Sequence, residues 1–328
     1  MTMRQKRLLR RVLSLLALVL VVVLVVTAAR RGREDDTETP AETGAVTDHD
    51  AQYISLTYDN GSATLSFALD EAGQWIWADL PDFPLDDTSV RTTLDLLTGM
   101  QPQQTLTEPE DLEQYGLDDP VMTLTAGLDD GSELTAAIGR KVSGDSGSDY
   151  LLLNGDESVV YIVDGALSAE LSRDIYGMMV LPELPAIGEN QFRRVTVEAG
   201  ENLTVCTAYA GAEGVPLSWR SGGANVTDAL RLRDLLEVLS HLTVDACLDY
   251  SPSPEAVTLC GFETPAATVE VQYVDENSGE LTRTVTVGGL TVDGASRCVR
   301  LDDDPTIYTV AADRLSPVLT VAESGLEG

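Results

Sequence analysis

Apolar and polar residues alternate over Tyr53–Tyr58 and again over Ala63–Leu69, on either side of Asn60-Gly61. A period of two flanking that dipeptide predicts a β-hairpin, and Trp75-Ile76-Trp77 predicts a third strand. The period then lengthens. Leu96, Leu97 and Met100 in one stretch, and Leu232, Leu235, Leu236, Leu239 and Leu242 in another, recur at helical spacing. Each set predicts an amphipathic helix, with Thr88 and Thr227 as expected N-caps. Alternation resumes over residues 121–126, 133–138, 150–153 and 159–163, with a turn at Asp129-Asp130-Gly131. In the later half it resumes over 193–198, 202–209, a strand ending at Trp219, and 267–274. Short helices are expected over 166–171 and 312–319. Strands in runs, with helices set in one place, predict an α+β fold rather than alternating α/β.

One stretch occurs twice. Pro109, Tyr115, Gly116, Leu117 and Pro120 fall opposite Pro254, Cys260, Gly261, Phe262 and Pro265 at a constant offset of 145 residues. Proline suits the first helical position, and glycine suits the left-handed residue that closes a helix. The apolar residue after it, Leu117 or Phe262, can fold back on Leu112 or Val257. The second proline stops the helix from resuming. Each copy therefore predicts a short capped helix followed by entry into a strand. These ten positions are structural motif residues, and the chain is expected to hold two tandem, similar units, 51–182 and 190–322, joined near Glu183–Glu189. A tail, 323–328, follows.

Val12 to Ala29 is an uncharged run of 18 residues, which as a helix spans about 27 Å, close to the hydrocarbon thickness of a bilayer. Five basic residues precede it and Arg30, Arg31 and Arg33 follow. This flanking predicts a basic cytoplasmic tail over 1–11, a retained transmembrane anchor over 12–29, and an exported body at the cell membrane. The rival expectation is a cleaved signal peptide. Arg30 and Arg31 are poor neighbours for a cleavage site, and the apolar run exceeds the usual signal core. Residues 30–50, rich in Asp, Glu, Thr and Pro, predict an acidic flexible tether.

Charge sharpens the picture. Eight of the 21 basic residues lie in the first 33 positions, which leaves 13 against 54 acidic ones, a balance of −41. A field of that sign opposes nucleic-acid binding. No metal or cofactor is expected: the two histidines, His49 and His241, have no partner motif, and there is no phosphate loop, Rossmann glycine pattern or nucleophile elbow. Acid pairs such as Asp86-Asp87 and Asp118-Asp119 could serve a hydrolase, but with 54 acids pairs arise freely. Cys206, Cys247, Cys260 and Cys298 all lie in the later half. Export would allow two disulfides in three connectivities, while buried thiols explain them equally well. Asn60, Asn202 and Asn225 head glycosylation triplets.

The order of features resembles a bacterial family, domain of unknown function 4340: a basic start, one membrane anchor, a Trp-ended strand, a helix, and Tyr115-Gly116-Leu117-Asp118-x-Pro120 leading into a strand. Trp75, Trp77, Gly139 and Tyr161 extend the resemblance. The later copy departs from it at Cys260, Phe262 and Glu263. The resemblance implies no catalytic residues. It implies an accessory role outside the membrane, beside ABC-type transport systems. The expected function is accordingly a non-enzymatic, membrane-anchored accessory or scaffold protein with a protein partner in a membrane complex. A module binding cell-envelope polymer, with Trp75 and Trp77 as stacking candidates, is the alternative, and a carboxylate hydrolase ranks third.

Overall fold

The computed structural model describes residues 52–144, 147–210, 216–275 and 278–326. The expected tail 1–11, anchor 12–29, tether 30–50 and His49 lie outside the described residues. Among the described residues no helix is long and apolar enough to cross a membrane.

The body is strand-rich, α+β and mostly β. Two antiparallel sheets account for its strands. The first contains β1 (Tyr53–Asp59), β2 (Thr64–Leu69), β3 (Trp75–Trp77), β4 (Gln104–Thr107), β5 (Met122–Leu128), β6 (Glu133–Lys141), β7 (Ser148–Leu153) and β8 (Val159–Asp164), in the order β3-β2-β1-β5-β6-β7-β8-β4. The second contains β9 (Phe192–Ala199), β10 (Asn202–Tyr209), β11 (Ser218–Ser221), β12 (Ala224–Asn225), β13 (Ala246–Asp249), β14 (Ala267–Asp275), β15 (Gly279–Leu290), β16 (Ser296–Leu301) and β17 (Ile307–Ala311). Its order is β12-β11-β10-β9-β14-β15-β16-β17-β13. Apart from the short β12, the two sheets share one strand order.

The hairpin expected around Asn60-Gly61 forms, with Asp59 paired to Thr64. The Asn60 side-chain oxygen accepts from Ser62 and Ala63 N–H groups, and Gly61 takes φ 80. Three edge strands were not foreseen: the two-residue β12, and β4 and β13, of four residues each, which pair with β8 and β17. Each is too short to show a period of two.

Helices α1 (Thr88–Thr98) and α3 (Leu230–Ser240) are the two amphipathic helices. The N-cap expectations need correction. The Thr88 N–H is accepted by Asp86, and α3 starts three residues after Thr227. Thr227 instead accepts from the Trp219 N–H at 2.9 Å, tying the β11 hairpin to the helix entry. The buried positions Val90, Thr93 and Leu97 match Leu232, Leu235 and Leu239, so the helices correspond three residues later than a Thr88–Thr227 alignment implies.

Short helices α2 (Ala166–Leu171) and α5 (Ser316–Ser324) close the two halves. The second runs past the expected unit end at 322, so the expected tail begins inside it. Asn60 donates its amide to the Leu171 carbonyl, and Asn202 to the carbonyls of Ala322 and Glu323. Both amides, which glycosylation would need, hold a helix end.

The join is packed rather than free. Ile187 is buried and its N–H donates to Ser240, while Arg283 holds the Pro185 carbonyl. Across the join the two cores share Tyr176, Met179 and Tyr250 as packing partners. The Tyr250 hydroxyl donates to the Asp82 carbonyl at 3.0 Å, and its ring meets Phe83 edge-on, centroids 5.2 Å apart.

Candidate functional site

The repeated motif builds the same device twice. Its helix is α4 (Pro254–Leu259) in the later copy, with proline at its start and Ser253 accepting from Ala256 N–H. In the earlier copy only a 3-10 turn, Glu113–Tyr115, forms. Pro109 does not start it. The residue matching Ser253 is Glu108, which has φ 51 and no short hydroxyl to cap a helix, so the turn begins where Asp111 accepts from Glu113 N–H.

Both copies close alike. Gly116 and Gly261 are left-handed, φ 68 and 75. The Leu117 N–H donates to Leu112 and the Phe262 N–H to Val257, which is the long hydrogen bond of a Schellman ending. The carbonyl before each glycine then presses on the sheet. A β-carbon on Gly139 would meet the Tyr115 oxygen at 2.2 Å, and one on Gly288 would meet the Cys260 oxygen at 2.2 Å. Each glycine sits at a register shift, in β6 or β15, a bulge that makes room for the carbonyl.

Alternate residues of β7 show which face receives the motif. Leu151 and Leu153 join the main core. Tyr150 and Leu152 point the other way, into a small cluster with Leu106, Leu112, Tyr115 and Leu117. In the second sheet Cys260, Phe262, Cys298 and Ile307 form the matching cluster. Strand pairing places Tyr150 opposite Cys298 in the comparison, through Leu151 and Val299. So the Tyr115–Tyr150 ring contact, centroids 4.9 Å apart, is replaced by a thiol pair. Arg300 lies over the Phe262 ring at 4.6 Å, where the first sheet has Leu152.

Cys206 and Cys247 belong to the main core, on β10 and β13 and far apart in strand order. Burial pushes their thiols up, to about 11 and about 12.

Sequence reasoning missed one polar cluster. Lys141 and Asp149 are cross-strand partners. The ammonium lies 2.8 Å from the Asp149 carboxylate and donates to Ser168 Oγ at 2.9 Å, while that hydroxyl donates to Asp149 at 2.5 Å. Asp149 is buried and the lysine half exposed. The serine proton and the ammonium are both committed to one carboxylate, so the trio pins α2 to the sheet. Leu290 and Arg297 take the matching places in the second sheet. The trio had no signal in spacing, because pairing across a hairpin brings it together.

The expected chemistry candidates are placed as follows. Asp86 accepts from the Thr88 N–H ahead of α1, and Asp87 pairs with Arg91 at 2.6 Å; Asp118 and Asp119 are exposed. Trp75 is 5% exposed and in the core, which removes it as a stacking platform. Trp77 packs edge-on against Phe83. His241 is exposed just past α3. Grooves of about 670 and 510 Å³ lie on either side of that helix, the larger walled by Phe192, Trp219, Leu232 and Leu236, with Glu237 and His241 lining both. Among the described residues no group of three His, Cys, Asp or Glu is placed to hold a metal ion.

Residues 75–205 match the family described as Domain of unknown function (DUF4340). The match begins at β3 and ends within β10. It contains Pro109, Tyr115, Gly116, Leu117 and Pro120, together with Gly139 and Tyr150, and supports the DUF4340 family over those residues. Pro254, Cys260, Gly261, Phe262 and Pro265 lie beyond it. No curated protein matches the chain.

Proposed function

We propose that the protein is a non-enzymatic accessory or scaffold module, anchored in the cell membrane by residues 12–29, with its acidic body outside. The body is two divergent tandem copies of one DUF4340-like unit, the later one diverged beyond the reach of the family match. One observation carries the scaffold reading: the two sheets, of one strand order, are locked to each other by the Tyr250–Asp82 hydrogen bond and the Phe83, Tyr176 and Tyr250 rings. Such a junction suits a rigid spacer that presents fixed surfaces to a membrane partner, for which an ABC-type transporter is the expected class. The anchor with its basic flank supports the placement.

Membrane topology tests this directly. On intact cells, a membrane-impermeant lysine reagent is expected to modify Lys141, the body's lysine, and to spare Lys6. Modification of neither until the cells are broken would overturn the exported body.

The groove lined by the half-buried Leu217 and Leu236 favours a second reading, a module that binds an envelope polymer or an apolar ligand. Leu236→Ala would then abolish retention on isolated cell envelope, whereas retention independent of that change would discard the groove.

A further inference from the structure

We infer that Cys260 and Cys298 form a disulfide that staples α4 to β16. Its occurrence in the cell rests on the exported placement proposed above. The two thiols come from different elements, the end of α4 and the middle of β16, yet are buried in one small cluster. Cys260 is held there by its backbone: its carbonyl accepts from the Gly289 N–H at 2.7 Å and presses on Gly288. The capped turn therefore cannot swing the thiol away without undoing the bulge. In the first sheet the same two positions hold Tyr115 and Tyr150 in ring contact. A contact between motif and sheet is needed at this place in both halves, and in the second it falls to two sulfurs. Of the three connectivities open to four cysteines, the sheet order separates Cys206 from Cys247 and leaves this single bridge.

The chemistry is thiol–disulfide exchange with a disulfide oxidant, such as oxidised glutathione or an extracytoplasmic thiol oxidase. Both thiols are buried, but Cys260 at the helix end is 9% exposed against 2% for Cys298, so an oxidant meets it first. Burial and the adjacent Cys260 push the Cys298 thiol up to about 12, which disfavours Cys298 as the first attacker. Cys260 gives its proton to solvent, and its thiolate attacks the oxidant. One Cys260–oxidant S–S bond forms as the oxidant's own S–S bond breaks, releasing one thiolate. Cys298 then gives its proton to solvent and attacks the Cys260 sulfur, expelling the second thiolate. Two electrons pass from the two cysteines to the oxidant, which leaves as two thiols.

The test uses full-length protein, reduced and then incubated with oxidised glutathione. It is alkylated after denaturation and mapped by mass spectrometry of unreduced peptides. Alkylation is expected to be lost at Cys260 and Cys298, whose peptides are linked, and retained at Cys206 and Cys247. Alkylation of all four, glutathione adducts without a link, or a Cys206–Cys247 link would overturn the inference. Cys298→Ala is expected to stop at a glutathione adduct on Cys260, and an unmodified Cys260 would contradict it. Acid-trapped protein from cells separates the two claims. A link formed in vitro but missing in cells would leave the pair standing and overturn the exported placement.

Discussion

The carbonyl oxygen of Tyr115 stands 2.2 Å from where a β-carbon on Gly139 would lie, so the turn and the strand bulge specify each other. The clash would be with backbone, which cannot rotate aside. Gly139→Ala is expected to cost about 3 kcal/mol through overpacking, and Gly288→Ala the same against the Cys260 carbonyl. Urea unfolding measures both, with Gly177→Ala, whose β-carbon meets nothing within 4 Å and whose backbone is not left-handed, as the control. Equal losses at Gly139 and Gly177 would refute the close-approach account.

Much of this was legible in the sequence and some was not. The hairpins, the two amphipathic helices and the ten motif residues announce themselves through period, Asn-Gly and the Gly–Pro spacing, because those devices act locally. β4 and β13 do not, since four-residue edge strands are set by the neighbour they pair with. Pro109 misled because a proline permits a helix start without supplying the cap, and Glu108 gives none where Ser253 does. The Lys141–Asp149–Ser168 trio and the Cys260–Cys298 pair were invisible for the same reason: each joins positions that only the sheet register brings together.

Asp149 is buried between a half-exposed ammonium and a buried hydroxyl. Asp149→Ala removes the carboxylate and leaves the Lys141 ammonium without its counter-ion and Ser168 without its charged acceptor, at an expected cost of about 3 kcal/mol. Ser168→Ala removes one hydrogen bond to a charged group and is expected to cost about 2 kcal/mol. Urea midpoints order the two, and an inconsequential Asp149→Ala would show that the trio does not hold α2.

Tyr250 joins the halves. Tyr250→Phe keeps the ring against Phe83 and loses the Asp82 hydrogen bond, for about 1 kcal/mol. Tyr250→Ala also removes the aromatic contact, and is expected to split one calorimetric transition of the body into two. A single transition in the alanine variant would mean that the sheets are coupled elsewhere.

Cys206, Cys247 and Cys298 stay protonated in the fold, burial raising each to between about 11 and about 12, while the unfolded chain releases these protons near 9. A raised folded value means stability that is full below the unfolded value and lost as pH rises through the folded one. The reduced protein is therefore expected to lose stability between pH 9 and 12. Cys206→Ala should flatten that slope, as read from urea midpoints across the range. An unchanged slope would show that this thiol does not drive the loss.

The central claim is a membrane-anchored body that serves a partner. Full-length protein crosslinked in its own membranes, then isolated and identified by mass spectrometry, tests it most directly. Recovery of crosslinks between the acidic body and the extracytoplasmic face of a transporter subunit is the expected result. Recovery of the protein reproducibly alone would contradict it.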